Sequence, residues 1–315
     1  MDSSVMNIIE RGKGPWPKAN DERSVRDWFV ERMSPGVEEG ERLPMAGFCL
    51  DFVSQKGRGE RMMSEFRYSE SLIDQLALIC DGLVNGRPVQ YLTSTAHFDD
   101  LDLFVDSSVL IPRPETEELV FALSEKMDKL WGVKGLSGNS RDILDVLDIG
   151  TGSGCIALFI KNRVPRANVF ATDFSKEAIE VASKNAKSTG LDVTFECSDI
   201  LLETPFNKKP FDAVVSNPPY IPVKDKKDMS SRVLDHEPSS ALFVPDEDPF
   251  LFYKAIVSHC IGDMLRPGGV LALECHEDFT LEVKMVIEDS GCFSGCEMIV
   301  DLQGKNRHLI ALKNV

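Results

Sequence analysis

The chain has 315 residues, 43% of them hydrophobic and 27% charged, which is enough for two domains with a substantial core. Its formal net charge of −16 disfavours a DNA or RNA partner, because nucleic-acid enzymes usually present a basic face. No apolar run approaches the roughly 18 residues of a membrane helix, and the first residues lack a signal-peptide core, so we expect a cytoplasmic protein without membrane association. The 8 cysteines include no Cys-x-x-Cys pair, which predicts reduced structural thiols and no metal site.

The N-terminal part of the sequence has a helical pattern. Apolar residues recur at three- and four-residue steps over residues 24–89 and predict a small helical domain spanning residues 1–92. The last and most regular of these helices should begin at an N-cap formed by Ser71 and stop at Gly86. The Pro and Gly residues scattered over residues 34–59 predict a loop-rich stretch between helices.

The middle of the sequence changes from helical to β periodicity. Alternating apolar positions between Ala96 and Ile111 predict a β-hairpin within a linker spanning residues 93–112. A helix should follow from Glu115 to Trp131. The remaining domain, residues 113–315, then carries short β-rich runs that alternate with helical stretches.

This alternation predicts βαβ units and a mostly parallel sheet covered on both faces. The runs are Ile143–Ile149, Val169–Thr172, Val193–Cys197, Ala213–Ser216 and Val270–Glu274. Two final runs, Met298–Leu302 and Leu309–Leu312, have only a short connection between them and must therefore pair antiparallel. An α/β sheet that ends in an antiparallel hairpin resembles the class I (Rossmann-like) methyltransferase fold.

A glycine-rich turn, Asp148-Ile149-Gly150-Thr151-Gly152-Ser153-Gly154, follows the first of these runs. Glycines let the backbone approach a ligand closely. The spacing is neither the Gly-x-Gly-x-x-Gly of dinucleotide sites nor a phosphate loop, and it favours S-adenosylmethionine. Asp173, which ends the next run, should accept the ribose hydroxyls, and Asp199 or the Ile200 backbone should meet the adenine. The alternative is a tight structural turn without a ligand.

The fourth run ends in Asn217-Pro218-Pro219-Tyr220, at the sheet edge where open α/β sheets bind ligands. Because prolines lack N–H donors and fix φ, the carbonyls there have no helix or sheet partners. The Asn217 side-chain oxygen and the Pro218 carbonyl could each accept one N–H of a planar amide or amino group and direct its lone pair at a methyl donor. Tyr220 would cover the flat face of that group. A proline-rich turn without function is the alternative.

The tetrapeptide and a second segment, Ile-Pro-Arg-Pro-Glu-Thr-Glu at residues 111–117, together resemble the HemK/PrmC family of release factor glutamine methyltransferases. Segments 87–92 and 301–307 also resemble that family. The resemblance implies S-adenosylmethionine as cofactor and a peptide chain release factor as protein substrate. The side-chain amide of the glutamine in its Gly-Gly-Gln loop would be the target, and the helical N-terminal domain would recognise the substrate.

The resemblance also assigns roles to individual residues. It implies a catalytic site formed by Asn217, Pro218, Pro219 and Tyr220. The implied cofactor contacts are Asp148, Ile149, Gly150, Thr151, Gly152, Asp173, Asp199, Ile200 and Asn217. The implied substrate pocket is Phe98, Arg113, Pro114, Glu115 and Thr116, and a surface ion pair is the alternative for Arg113 and Glu115. Ser94 and His276 depart from glycines that are usual in the family, the latter after the acidic residue of the fifth strand. We expect neither to touch the tetrapeptide, so they should bear on loop geometry and not on activity.

Two other functions are compatible with the same pattern. A nucleic-acid methyltransferase acting on adenine or guanine would use the tetrapeptide on a flipped base. It should bring a basic channel, but the sequence clusters only Lys224, Lys226 and Lys227. A non-catalytic binding module built on the fold is disfavoured by the presence of Asn217 and Asp173.

Overall fold

The computed structural model describes residues 12–132 and 143–315. The described chain divides into two compact units, one comprising the residues up to Ser94 together with Ser231–His236, the other comprising Thr95–Ser230 and Glu237–Val315. Each unit has its own apolar core. Among the described residues, every helix is too short or too polar to cross a membrane.

The first unit is helical, as the sequence predicts. Its helices up to Ser94 are α1 (Glu22–Arg32), α2 (Glu39–Ser54), α3 (Arg58–Met63), α4 (Glu70–Val84) and α5 (Val89–Thr93). An ion-paired cluster is built into their packing, because Arg61 is 1% exposed and contacts the carboxylates of Glu22 and Asp51. A buried arginine needs such partners, since an unpaired buried charge is very costly.

The prediction of a loop-rich stretch over residues 34–59 is wrong. Helix α2 occupies most of it, with Pro44 inside the helix. Cys49 and Leu50 on this helix are buried in the core of the first unit. Tertiary packing of an apolar face therefore outweighs the poor helix propensity of Pro and Gly.

The predicted N-cap of α4 is also wrong. The cap is Ser69, whose side-chain oxygen accepts a hydrogen bond from the backbone N–H of Leu72 (3.4 Å), and Ser71 lies inside the helix. Ser69 has extended backbone angles, as an N-cap residue requires. The predicted stop is confirmed, because α4 ends just before Gly86, which adopts a left-handed φ of 80°.

The second unit alternates strands and helices. In chain order the remaining strands and α-helices are β1 (Ala96–Phe98), β2 (Leu101–Leu103), α6 (Pro114–Trp131), β3 (Asp145–Ile149), α7 (Cys155–Arg163), β4 (Asn168–Asp173), α8 (Lys176–Thr189), β5 (Val193–Cys197), β6 (Phe211–Ser216), β7 (Ile221–Pro222), α9 (Ser231–Leu234), β8 (Phe243–Val244), α10 (Leu251–His259), β9 (Leu265–Glu274), α11 (Thr280–Glu288), β10 (Phe293–Val300) and β11 (Asn306–Lys313). Of these, α9 belongs to the first unit. The predicted hairpin is confirmed for β1 and β2, which pair antiparallel, but residues 104–111 are not a strand.

Within the described part of the chain, one 7-stranded sheet has the order β10-β11-β9-β6-β3-β4-β5. The strands from β9 to β5 are parallel, and β11 is antiparallel to both β9 and β10. The predicted class I methyltransferase fold with an antiparallel terminal hairpin is thus confirmed. Strands β3 and β6 are buried along their whole length, as expected for central parallel strands covered on both faces.

The end of β10 differs from the prediction. The strand stops at Val300, whereas Leu302, which was predicted to be in the strand, is 92% exposed in the following turn. The Asp301 carboxylate causes this stop, because it accepts hydrogen bonds from the backbone N–H groups of Gln303 (2.9 Å) and Lys305 (2.8 Å). A short polar side chain that binds the backbone two residues on favours a turn over a strand.

Strand order reverses at β3, since β4 lies on one side of it and β6 on the other. Ligands of open α/β sheets bind outside the carboxyl ends of the strands at such a point. The glycine-rich turn follows β3, Asp173 ends β4, and Asn217 follows β6. The topology therefore brings these three predicted features to one edge of the sheet.

Candidate active site

The glycine-rich turn after β3 has a backbone that glycine permits. Gly150 and Gly152 have φ values of 73° and 54°, in the left-handed region. The backbone N–H groups of Gly150 and Thr151 both donate to the Thr172 carbonyl on β4 (2.8 and 2.9 Å). A Cβ added to Gly150 or Gly152 would meet no atom within 4 Å, so the turn borders open space.

Asp148 supports this turn from beneath. It is fully buried, and its Oδ2 accepts hydrogen bonds from Thr151 Oγ1 (2.6 Å) and from the Ala157 backbone N–H (3.2 Å). Burial raises the pKa of the Asp148 carboxyl to about 7. Asp148 and Thr151, both predicted as cofactor contacts, do not line the adjacent cavity and shape the turn instead.

A cavity opens at this edge of the sheet and brings most of the other predicted cofactor residues together. Those on its wall are Ile149, Gly150, Gly152, Asp173, Asp199, Ile200 and Asn217, accompanied by Pro218 and Pro219. Further wall residues, which are mostly apolar or small, were not predicted from the sequence. They include Ser108, Val109, Leu110, Phe174, Ser198, Pro238, Ser240, Ala241, Phe252 and Ile256. An aromatic residue directly after Asp173 was the available signal for Phe174.

Asp173 is held firmly at the cavity wall. It is 8% exposed, and its two oxygens accept hydrogen bonds from the backbone N–H groups of Gly152 and Ser175 (both 3.0 Å). Burial raises the pKa of this carboxyl above its usual value. Because an ionised carboxylate offers about four acceptor positions, each oxygen keeps one for a ligand hydroxyl.

Asp199 and Ile200 make local contacts beside the cavity. Asp199 Oδ1 accepts from the Leu201 backbone N–H (2.9 Å), which tightens the turn after β5. The Ile200 carbonyl accepts from His259 Nε2 (2.9 Å), so this part of the Ile200 backbone is already engaged. The buried Ile200 side chain contributes an apolar surface to the cavity.

Asn217 belongs to a hydrogen-bonded chain that extends away from the cavity. Its Nδ2 donates to Thr116 Oγ1 (3.0 Å), and Thr116 Oγ1 donates to Glu274 Oε2 (2.7 Å). The Tyr220 hydroxyl donates to the other carboxylate oxygen of Glu274 (3.3 Å). The Asn217 amide is therefore fixed through a threonine on α6 and a glutamate at the end of β9.

Glu274 is the residue of this chain to which the sequence analysis assigned no role. It is 1% exposed, and burial raises its pKa to about 7. The signal was an acidic residue ending a run of apolar residues in a central strand. Tyr220 also packs edge-on against His276, with ring centroids 6.0 Å apart, so the expectation that neither departure touches the tetrapeptide is wrong for His276.

The predicted substrate pocket is brought together only in part. Thr116 reaches Asn217, but Phe98 is buried in the core, edge-to-face against Phe159, and does not line the cavity. Arg113 Nη2 binds Glu237 Oε1 (2.6 Å). A sequence motif identifies which residues recur in a family, but it does not say which of them face a ligand.

The other two residues of that pocket lie at the start of α6. Pro114 is the first residue of this helix, where its missing N–H costs nothing. Glu115 accepts a hydrogen bond from Gln303 Nε2 (3.0 Å). Ser94, the other departure, adopts a left-handed φ of 51° at the end of α5, which explains why glycine is usual there.

Residues 146–236 match a family model described as a methyltransferase domain. The chain is similar to release factor glutamine methyltransferases of Bacteroides thetaiotaomicron, at 36% identity over 87% of this chain and 93% of that protein, and of Flavobacterium psychrophilum, at 33% identity over 90% and 96%. A solved structure similar to it is the release factor-specific protein-(glutamine-N5) methyltransferase from Alicyclobacillus acidocaldarius, with 24% identity over 65% of this chain and 95% of that chain and a TM-score of 0.40. Since both curated relatives are matched over nearly their full length, the chain belongs to the family of release factor glutamine methyltransferases.

Proposed function

We infer that this chain transfers a methyl group from S-adenosylmethionine to the side-chain amide nitrogen of a glutamine in a peptide chain release factor. The observation that carries this conclusion is the position of Asn217, whose side chain stands on the same cavity wall as Gly150, Gly152 and Asp173. An acceptor for amide hydrogens thus lies beside residues suited to a nucleoside. The names of the curated relatives support the same substrate.

The cavity suits S-adenosylmethionine in shape and chemistry. Because Gly150 and Gly152 have no side chains to occupy the open space beside them, the backbone there can approach the methionine part of the cofactor. Asp173 would accept the ribose hydroxyls, and Phe174 and Ile200 would provide apolar surfaces for the adenine. When bound, the cofactor supplies a methyl group made electrophilic by a positively charged sulfonium.

The protein contributes mainly by orienting the target amide. An amide nitrogen is a poor nucleophile because its lone pair is delocalised into the carbonyl. Asn217 Oδ1 and the Pro218 carbonyl would accept its two hydrogens and hold the face of the nitrogen toward the methyl group. Positioning of this kind contributes up to roughly 7–11 kcal/mol in favourable cases. After transfer, the methylated nitrogen would release one of the two protons held by these oxygens to solvent water.

The direct test is mass spectrometry of candidate release factors after incubation with the protein and methyl-labelled cofactor. We expect one added methyl group on the peptide that contains the Gly-Gly-Gln sequence, and none when Gln is replaced by Glu in that sequence. Label on DNA or RNA, suppressed steeply by salt, would support the nucleic-acid alternative instead. Since the substrate is a translation factor, we propose that the chain acts in the cytoplasm.

We also propose that the helical domain over residues 1–92 recognises the body of the release factor. If so, deleting residues 1–88 should raise the apparent KM for intact release factor with a smaller effect on kcat, the signature of lost uniform binding. A free Gly-Gly-Gln peptide should be methylated as before. The truncated protein must retain its affinity for the cofactor, and an unchanged KM for intact release factor would refute this role.

A further inference from the structure

We propose that Glu274 is a positioning residue, which acts through the hydroxyl group of Thr116 to determine which end of the Asn217 amide faces the substrate. This inference rests on the proposed function, because it concerns how the target amide is held. Glu274 itself does not line the cavity. Its effect would therefore pass through side chains and not through contact with the substrate.

The groups that form these hydrogen bonds determine the direction of each one. A threonine hydroxyl has a single hydrogen, whereas an ionised carboxylate can only accept. Thr116 therefore gives its hydrogen to Glu274 Oε2 and can only accept from Asn217. This requires the Nδ2 end of the Asn217 amide to face Thr116.

One end of the Asn217 amide is a hydrogen-bond donor and the other an acceptor, so its orientation determines which of them the cavity presents to the substrate. With Nδ2 bound to Thr116, Asn217 Oδ1 is the end left for a substrate donor, and within the described residues it has no hydrogen-bond partner. A glutamine side chain that presents N–H groups needs an acceptor there. In the reversed orientation, the NH2 group of Asn217 would face the N–H groups of the substrate glutamine, and two donors cannot form a hydrogen bond. The orientation of Asn217 therefore matters for binding the glutamine in a reactive pose.

The charge state of Glu274 controls this arrangement. A protonated Glu274 could donate to Thr116, which would then be free to donate its own hydrogen to Asn217 Oδ1 and stabilise the reversed amide. Burial raises the pKa of Glu274 to about 7, and the positive charge of Arg307 opposes that rise. Acidification should therefore disorder the orientation of Asn217.

Other ionisable groups near Glu274 are less suited to this switch. Those that face it or lie against it are Glu115, Cys155, Tyr220, Tyr253, Cys275, Arg307 and the strand neighbour His308. Burial raises the pKa of both tyrosines and both cysteines, which keeps them protonated at neutral pH. Burial lowers the pKa of His308 to about 4, which keeps it neutral. Asp148, whose pKa is also about 7, is the group whose titration must be separated from that of Glu274.

Substitutions of Thr116 test the central member of the relay, by which we mean the hydrogen bonds from Glu274 through Thr116 to Asn217. Thr116→Val keeps the shape but can neither accept nor donate, so kcat should fall by about tenfold or more while cofactor affinity stays unchanged. Thr116→Ser keeps the hydroxyl group and is the matched control, with kcat expected within about threefold of wild type. Wild-type kcat in Thr116→Val, or equal losses in both variants, would overturn the proposal.

Glu274→Gln tests the role of the charge. Its side chain is uncharged at every pH and, like protonated Glu274, can donate to Thr116, so kcat at alkaline pH should fall toward the low-pH value of the wild type, and the part of the pH dependence of kcat that comes from Glu274 should disappear. An acidic decline of kcat that remains in this variant would come from another group, such as Asp148. A pH profile identical to that of the wild type would contradict the proposal.

A measurement without substrate separates this inference from the proposed function. The side-chain amide signals of Asn217 in a ¹⁵N–¹H spectrum, assigned by their loss in Asn217→Ala, should shift as the pH falls through the pKa of Glu274. Glu274→Gln should abolish this shift even if the release factor proves not to be the substrate. A shift that persists in Glu274→Gln overturns the relay, whereas absence of methylated glutamine with the wild-type protein overturns the proposed function.

Discussion

Asp173→Ala tests the proposed cofactor site most directly. The carboxylate uses one acceptor position on each oxygen for the N–H groups of Gly152 and Ser175, and the remaining positions are available for ribose hydroxyls. The substitution removes those acceptors. It also releases the Gly152 backbone, so the cavity wall beside the cofactor loses a support.

The expected magnitude follows from the charge of the acceptor. Hydrogen bonds to a charged group contribute roughly 1.5–3 kcal/mol each. If the loss corresponds to one such bond, the Kd for S-adenosylmethionine should rise about ten- to 150-fold. A loss of both ribose bonds would give a larger rise, because the second hydroxyl also loses its charged acceptor.

Isothermal titration calorimetry with S-adenosylmethionine measures this change. Asp192→Ala is a matched control, because this aspartate is exposed and does not line the cavity. The control should bind the cofactor like the wild type, and thermal unfolding without ligand should show that both variants are folded. An unchanged Kd in folded Asp173→Ala would refute the assignment of Asp173 to the ribose.

Three further predictions follow from other contacts. Asn217→Ala should raise the barrier to methyl transfer by about 2.7–4 kcal/mol, measured as kcat, with little change in the free energy of unfolding. Burial raises the pKa of the Asp148 carboxyl above its value in the unfolded chain, so the free energy of unfolding falls as the pH rises through about 7. Chemical denaturation of the wild type at several pH values should detect this fall as a slope of up to about 1.4 kcal/mol per pH unit. Asp148→Asn should remove it. Arg61→Ala should destabilise the first unit by about 1–3 kcal/mol in the same assay, since it leaves the largely buried Glu22 carboxylate without its charged partner, while the half-exposed Asp51 stays solvated.

Much of the fold was predictable because its signals are local. The short apolar runs predicted the parallel strands, and the connection of a few residues before Leu309 required an antiparallel pair. Helix α2 was missed because its stability comes from burying residues such as Leu50 against other helices, which a local count of Pro and Gly does not reveal. Propensity is a weak guide wherever tertiary packing opposes it.

The parts of the candidate site that are continuous segments of the sequence could be predicted. The contacts between residues far apart in the sequence could not. The turn containing Gly150 and the tetrapeptide starting at Asn217 are continuous segments that follow strands. The partners of Asn217 are not, because Thr116 lies 101 positions earlier and Glu274 is 158 positions from Thr116. Only the strand order, which places the ends of β6 and β9 side by side, brings them together.

The segment at residues 111–117 has an organising role that its resemblance to a family pattern does not reveal. Arg113 binds Glu237, Thr116 binds Asn217, and Glu115 binds the turn after β10 through Gln303. These contacts attach the start of α6 to separate parts of the second unit at once. Because each partner lies on a different loop, a change in this segment should disturb the orientation of the tetrapeptide before it disturbs the sheet. We therefore propose that its residues serve the reaction mainly by fixing neighbouring loops, with Thr116 connecting this framework to the amide of Asn217.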